Sequence, residues 1–223
     1  MDGVKQVSDN IAHDLRTPLT RLRNDLVSFQ KDCSTNEFDR VETLIAEADD
    51  MLATFNALLR IARIELGETK AERVSLALDK LIEDVVELYE PLALEKGIHL
   101  QLELYPTECV ADRNLLFQAC ANIVDNAIKY TPQGGNVQVS LSQGDQYGFD
   151  GHLGGSDNKE PSVTFSVLDS GCGIDQSNYK KVLRRFYREE SSRSLQPGNG
   201  LGLSLVAAVA KLHDFQLIFK PND

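Results

Sequence analysis

The chain has 223 residues, 42% of them hydrophobic and 26% charged, enough to bury a real core in one large or two small domains. Its net charge of −11 excludes broad electrostatic binding to nucleic acid or an anionic membrane. A polyanionic ligand must then be held locally, by a cation, a few basic side chains or backbone N–H groups. No apolar run approaches the ~20 residues that cross a bilayer, and no secretory signal opens the chain. Cys33, Cys109, Cys120 and Cys172 form no C-x-x-C pair and lack histidines at zinc-ligand spacing, which reads as reduced thiols of a cytosolic protein.

Residues 1–64 read as two amphipathic helices. In the first, Val4, Val7, Ile11, Leu15, Pro18, Leu22, Leu26 and Phe29 recur at spacings of three and four. Residues 32–36 break the pattern, and Ser34, Thr35 and Asn36 are each able to cap the next helix. In the second, Phe38, Val41, Leu44, Ile45, Ala48, Leu52, Phe55, Leu59 and Ala62 repeat the stripe. A short turn between such helices predicts an antiparallel hairpin. One hairpin leaves its stripe uncovered, which a second copy would remedy by forming a dimeric four-helix bundle.

Residues 65–75 are polar, contain a glycine, and read as a linker. From about residue 76 the pattern becomes α+β: helices over 76–95, 112–130 and 201–213, and strands over 98–104, 136–142, 162–168 and 216–220. The glycine-rich stretch 144–161 reads as a long hairpin connection without assigned function. The whole is expected as a helical hairpin followed by a sheet with helices on one face.

His13 stands apart on its helix. With Ile11 as origin, Leu15, Pro18 and Leu22 fall within about 40°, whereas His13 lies at about 200°, out in solvent. The adjacent Asp14 can polarise one imidazole N–H and so make the other nitrogen a better nucleophile. Thr17 lies one turn on, where its hydroxyl could orient a water. Pro18 costs the helix about 3 kcal/mol and frees the Asp14 carbonyl from its usual partner. An exposed histidine alone is most often a plain surface residue; these neighbours favour a chemical role. The run Asn10-Ile11-Ala12-His13-Asp14-Leu15-Arg16-Thr17-Pro18-Leu19 resembles the phosphoacceptor box of sensor histidine kinases. The resemblance implies that His13 takes a phosphoryl group, that Asp14 assists as base, and that Thr17 positions water when a partner is dephosphorylated.

In the helix 112–130, Asn122, Asn126 and Lys129 cluster within about 60°. Asparagine is a poor helix former, so two on one face cost stability without a packing return. Amide oxygens suit Mg²⁺, and a lysine one turn on suits phosphate. A solvated polar face is the plain alternative. The run from Asn122 to Pro132 is similar to the asparagine box of the same kinases, whose ATP-binding Bergerat fold is shared with DNA gyrase. That likeness implies Asn126 as principal Mg²⁺ ligand, Asn122 in support of metal or phosphates, Lys129 at the phosphates and Tyr130 near the adenine.

The strand 162–168 runs into Asp169-Ser170-Gly171-Cys172-Gly173, where glycines let backbone approach a ligand. A dinucleotide fingerprint would want a third glycine at Gln176. The resemblance instead gives Asp169 the adenine amino group, a contact that discriminates against bases lacking the donor. Gly198-Asn199-Gly200-Leu201-Gly202 opens the last helix, where backbone N–H groups suit phosphate. No G-K-[ST] follows, so this is not a P-loop. Between the boxes, residues 174–197 with Arg184-Arg185-Phe186-Tyr187-Arg188 look like the family's phenylalanine box and lid, with Arg188 reaching a phosphate.

Taken together, the resemblance implies a core that uses ATP and Mg²⁺ to autophosphorylate a histidine and passes the group to an aspartate of a response regulator. It implies a homodimer, a receiver-domain partner, no nucleic acid, and a cytoplasmic position with membrane attachment only through a sensor region absent from this sequence. The ends of the sequence read as those of a fragment. A phosphotransfer-inactive nucleotide-binding scaffold is the alternative, disfavoured by intact His13, Asp14 and Asn126.

Overall fold

The structure, a computed structural model, describes residues 17–30, 35–143, 163–189 and 198–221. His13, Asp14, most of the hairpin turn, the connection 144–161 and the later part of the lid lie outside the described residues. The chain divides into two compact units, Met1–Thr69 and Lys70–Asp223.

In the first unit, helix α1 covers residues 17–30 and helix α2 spans Thr35–Glu65. Arg23 Nε donates to Asp49 Oδ1 at 2.6 Å, joining the two helices as an antiparallel pairing requires. This exposed ion pair contributes at most about 1 kcal/mol. The apolar stripe is only partly covered: Val41 and Ala48 are buried, while Leu22, Phe29, Phe38, Leu44 and Met51 are exposed.

The second unit begins earlier than the composition indicates. Strand β1, Val74–Ala77, already begins within the stretch 65–75 expected as linker. It pairs antiparallel with β3, Glu108–Ala111, so that Val74 faces Ala111. Helix α3, Leu78–Glu95, follows directly. Leu78, Leu81, Ile82, Val85, Val86 and Ala93 form its buried stripe, at helical spacing. Strand β2 is His99–Leu104 and helix α4 is Arg113–Tyr130. Asp112 caps α4, its Oδ1 accepting from the N–H groups of Asn114 and Leu115 at 3.0 and 3.1 Å.

Strands β4, Asn136–Gln143, and β5, Val163–Asp169, complete a second sheet of order β2-β4-β5. β2 and β4 run parallel, with Leu100 opposite Val137; β4 and β5 run antiparallel, with Val139 opposite Val167. On β4, Val137, Val139 and Leu141 are fully buried in the core shared with α3 and α4. The alternate residue Ser140 shares a hydrogen bond of 2.7 Å with Ser166 of β5, as the period of two requires. Helix α5, Gly202–Leu212, packs on α4.

The strand expected over 216–220 does not form. Exposure still alternates along these residues, but no ladder takes them up. Side-chain stacking holds the segment instead: Phe219 lies on Tyr179 with ring centres 5.2 Å apart, and Phe215 on His213 at 5.3 Å.

Candidate functional site

Four elements of the second unit converge on one groove: the middle of α4, the end of β5, the described part of the lid, and the start of α5. The groove encloses about 1330 Å³ and continues along the sheet toward residues 214–221. Of the residues expected to bind nucleotide, Asn122, Asn126, Lys129, Tyr130, Asp169, Gly173, Arg188, Gly198, Gly200 and Gly202 line it. Gly171 and Leu201 do not.

Both exceptions act from behind the wall. A side chain at Gly171 would come 2.6 Å from Asp169 Oδ1 and 2.6 Å from the Tyr130 carbonyl, so glycine lets the end of β5 press against the end of α4. The Gly171 N–H also donates to Asp169 Oδ1 at 2.8 Å, fixing that carboxylate. Leu201 is 1% exposed and belongs to the core, and its N–H is taken by Asn199 Oδ1 at 3.1 Å.

Asn122 donates from Nδ2 to the Gln118 carbonyl at 2.9 Å. That bond orients the amide so that its oxygen faces the start of α5. A Cβ built on Gly202 would sit 2.9 Å from Asn122 Oδ1 and 3.5 Å from Asn126 Nδ2. Gly202 therefore lets the two helices close on the asparagine pair. At Gly200, φ is +68°, and a Cβ would meet the Tyr187 carbonyl at 2.9 Å, so this position requires glycine twice over. The lid is tied to the same box: Phe186 N–H donates to the Gly200 carbonyl at 2.9 Å, and Arg188 Nη1 to the Gly198 carbonyl at 2.7 Å. Arg188 thus braces the loop in this arrangement. Lys129 pairs with Asp125 Oδ2 at 2.6 Å, one turn back along α4.

The donor set fits a hard cation. The two amides of α4 offer oxygen ligands, and Mg²⁺ takes few protein ligands when phosphates and water complete its shell. Among the described residues, no group of three or more His, Cys, Asp or Glu could hold a metal ion. Three N–H groups at the start of α5, those of Gly202, Leu203 and Ser204, precede the first intrahelical bond, from Leu205 to the Leu201 carbonyl. Gly202 and Leu203 line the groove, which suits an anion.

Several supporting residues give no signal in the sequence. Lys96, at the end of α3, donates from Nζ to the carbonyls of Ile128, Lys129 and Thr131 at 2.8, 3.0 and 3.0 Å. Its charge sits at the negative end of α4, beside Tyr130. Thr131 is 1% exposed and returns its hydroxyl to the Ala127 carbonyl at 2.7 Å. Asn199 and Asp125 also line the groove. Thr17 lies at the start of the described part of α1, exposed, in the first unit.

Residues 111–222 match the family described as histidine kinase-, DNA gyrase B-, and HSP90-like ATPase, and residues 4–67 match the His Kinase A (phospho-acceptor) domain. The chain belongs to the sensor histidine kinases. It is 28% identical over 211 residues to the signal transduction histidine-protein kinase BaeS of Escherichia coli, covering 94% of this chain and 42% of that one. It is 29% identical over 226 residues to the sensor protein BasS of Escherichia coli, covering 99% and 55%. It thus spans about two-fifths to just over half the length of these histidine-kinase relatives. Among solved structures, full-length ShkA in complex with AMPPNP superposes with a TM-score of 0.73 at 25% identity, covering 93% of this chain and 41% of that one. The histidine kinase AdeS of Acinetobacter baumannii shares the fold, with a TM-score of 0.58 at 18% identity over 90% of this chain and 86% of that one. In this histidine-kinase chain, no helix among the described residues is long and apolar enough to cross a membrane.

Proposed function

We propose that the chain is the catalytic core of a dimeric two-component sensor kinase, which phosphorylates its own His13 from Mg-ATP and passes the group to an aspartate of a response regulator. One observation carries this reading. A groove in the ATPase-family unit gathers ten of the expected nucleotide-binding residues, on a chain whose other unit matches a phospho-acceptor domain over His13. The AMPPNP named in the ShkA complex supports the same ligand class.

Each group has a task. The N–H groups opening α5 take the phosphate tail, and Asp169, oriented by Gly171, receives the adenine amino group. Asn126 and Asn122 hold Mg²⁺, which supplies charge neutralisation at the phosphates. Lys129 reaches the phosphates by leaving Asp125. A neutral nitrogen of His13 bonds to the γ-phosphorus as the bond from that phosphorus to the ADP oxygen breaks. ADP departs, and the proton of the imidazole passes to Asp14. The regulator's carboxylate then attacks the phosphohistidine; the N–P bond breaks, and the imidazole leaves neutral by taking a proton back from Asp14. Thr17 serves the reverse traffic, placing water for dephosphorylation of the regulator. Catalysis by such a site is positioning and electrostatics.

The exposed Leu22, Phe29, Phe38, Leu44 and Met51 support a second copy against the hairpin. The unit sits on the cytoplasmic side of a membrane, in a longer protein whose sensor lies elsewhere. The test is a chase. The core is labelled with γ-labelled ATP and Mg²⁺, then mixed with a receiver domain. Label that enters the core and moves to the receiver is expected. Nucleotide binding without any protein label would favour a phosphotransfer-inactive scaffold.

A further inference from the structure

His213 ends α5 at the far side from Gly202 and is a buried polar ring, 5% exposed. Both of its nitrogens are used. Nε2 accepts from the Asp112 N–H at 3.0 Å, which leaves the proton on Nδ1, and Nδ1 donates to the Val209 carbonyl at 2.9 Å. The ring therefore joins the last turn of α5 to the residue that caps α4.

Asp112 and its neighbours extend this tie. Asp112 Oδ1 caps α4, and Oδ2 accepts the Glu72 N–H at 3.1 Å. Arg73 Nη2 donates to the Leu212 carbonyl at 2.7 Å and to Asp214 Oδ2 at 3.2 Å. The segment entering this unit is so pinned to the ends of both helices.

The two helices pack along their length, and a specific contact marks each end of the packed stretch. At one, Asn122 faces Gly202; at the other, Asp112 meets His213. Asn122 lies ten positions beyond Asp112 and His213 eleven beyond Gly202, about 15 and 17 Å at 1.5 Å per residue. The spacing of the pair is thus set at both ends, at the glycine beside the asparagines and at the imidazole.

We propose that His213 is a positioning residue for the nucleotide site, holding α4 and α5 at the separation that seats Asn122 and Asn126 against Gly202, with Arg73 linking that spacing to the incoming segment. This rests on the reading of the groove as a nucleotide site. Removing the ring's polar atoms would leave the half-buried Asp112 N–H without its acceptor, and the α4 N-terminus would shift to find another.

The test compares the unaltered chain, His213→Leu and His213→Gln for affinity to a non-hydrolysable ATP analogue with Mg²⁺, at a temperature where circular dichroism shows each fully folded. His213→Leu is expected to bind about tenfold more weakly. His213→Gln, which keeps a donor and an acceptor, is expected to stay within about threefold. A purely structural role would lower the melting temperature and leave the affinity of the folded protein alone. A folded His213→Leu protein with unaltered affinity overturns the proposal. Should that variant not fold, Arg73→Ala, which removes a half-exposed side chain, is read instead; it is expected to weaken binding about threefold, and unchanged affinity overturns the proposal equally. Absence of binding by the unaltered chain would defeat the nucleotide reading itself, and the positioning role with it.

Discussion

Gly202→Ala separates folding from ligand binding. Gly202 is the first residue of α5 and its φ is not positive, so alanine suits the backbone. Alanine gains roughly 0.5–1 kcal/mol over glycine in a helix. Against this, the new methyl would stand 2.9 Å from Asn122 Oδ1. Overpacking of a rigid core costs about 1–3 kcal/mol, but Asn122 is only half-buried and can rotate away. Rotation breaks its bond to the Gln118 carbonyl, about 1 kcal/mol. The terms nearly cancel, and the folding stability should change by less than about 1 kcal/mol. The amide oxygen has meanwhile left the groove. A contact to a charged partner is worth about 1.5–3 kcal/mol, so affinity for a Mg²⁺-loaded ATP analogue should fall roughly ten- to a hundredfold. Thermal denaturation and titration calorimetry measure the two effects. In an Asn122→Ala background the methyl meets no oxygen, and Gly202→Ala should add little further loss. Wild-type affinity in the single variant would refute the account of how α5 closes on the asparagines.

Two further outcomes follow from single side chains. Lys96→Met leaves three carbonyls at the end of α4 without their donor, and should destabilise the second unit by about 2 kcal/mol, lowering its melting temperature by roughly 4–8 °C; Lys96→Arg should recover part of this, and an unchanged melting temperature in Lys96→Met would contradict the capping role. In a Cys33→Ser background, Cys172 should react first with a thiol reagent near neutral pH, because it is exposed in the groove wall, whereas burial raises the Cys109 thiol and pushes Cys120 up to about 12, keeping both protonated. A bound ATP analogue should slow the Cys172 reaction, and equal rates with and without it would place the ligand elsewhere.

What the sequence disclosed was local. The 3.6-residue period of α4 and its polar face of Asn122, Asn126 and Lys129 lie within one helix, and the glycines at 171, 200 and 202 mark close approaches that a bulkier residue would forbid. The two-residue alternation of β2, β4 and β5 was equally visible. β1 and β3 were not, since four residues carry too little pattern and each strand exists only by pairing with the other. Residues 216–220 show the reverse: a strand-like alternation without a ladder, because alternation reports a half-covered face and not a hydrogen-bonding neighbour. Lys96, His213 and Arg73 act across 32 to 141 positions of sequence, and no spacing rule reaches that far.

Locating the phosphoryl group within the protein tests the central claim most directly. The core is incubated with Mg-ATP, kept at alkaline pH to preserve a phosphoramidate, digested, and mapped by mass spectrometry. The account predicts a phosphate on the His13 imidazole, gone in His13→Ala while nucleotide still binds. Phosphate on any other residue, or label undiminished in His13→Ala, would contradict it.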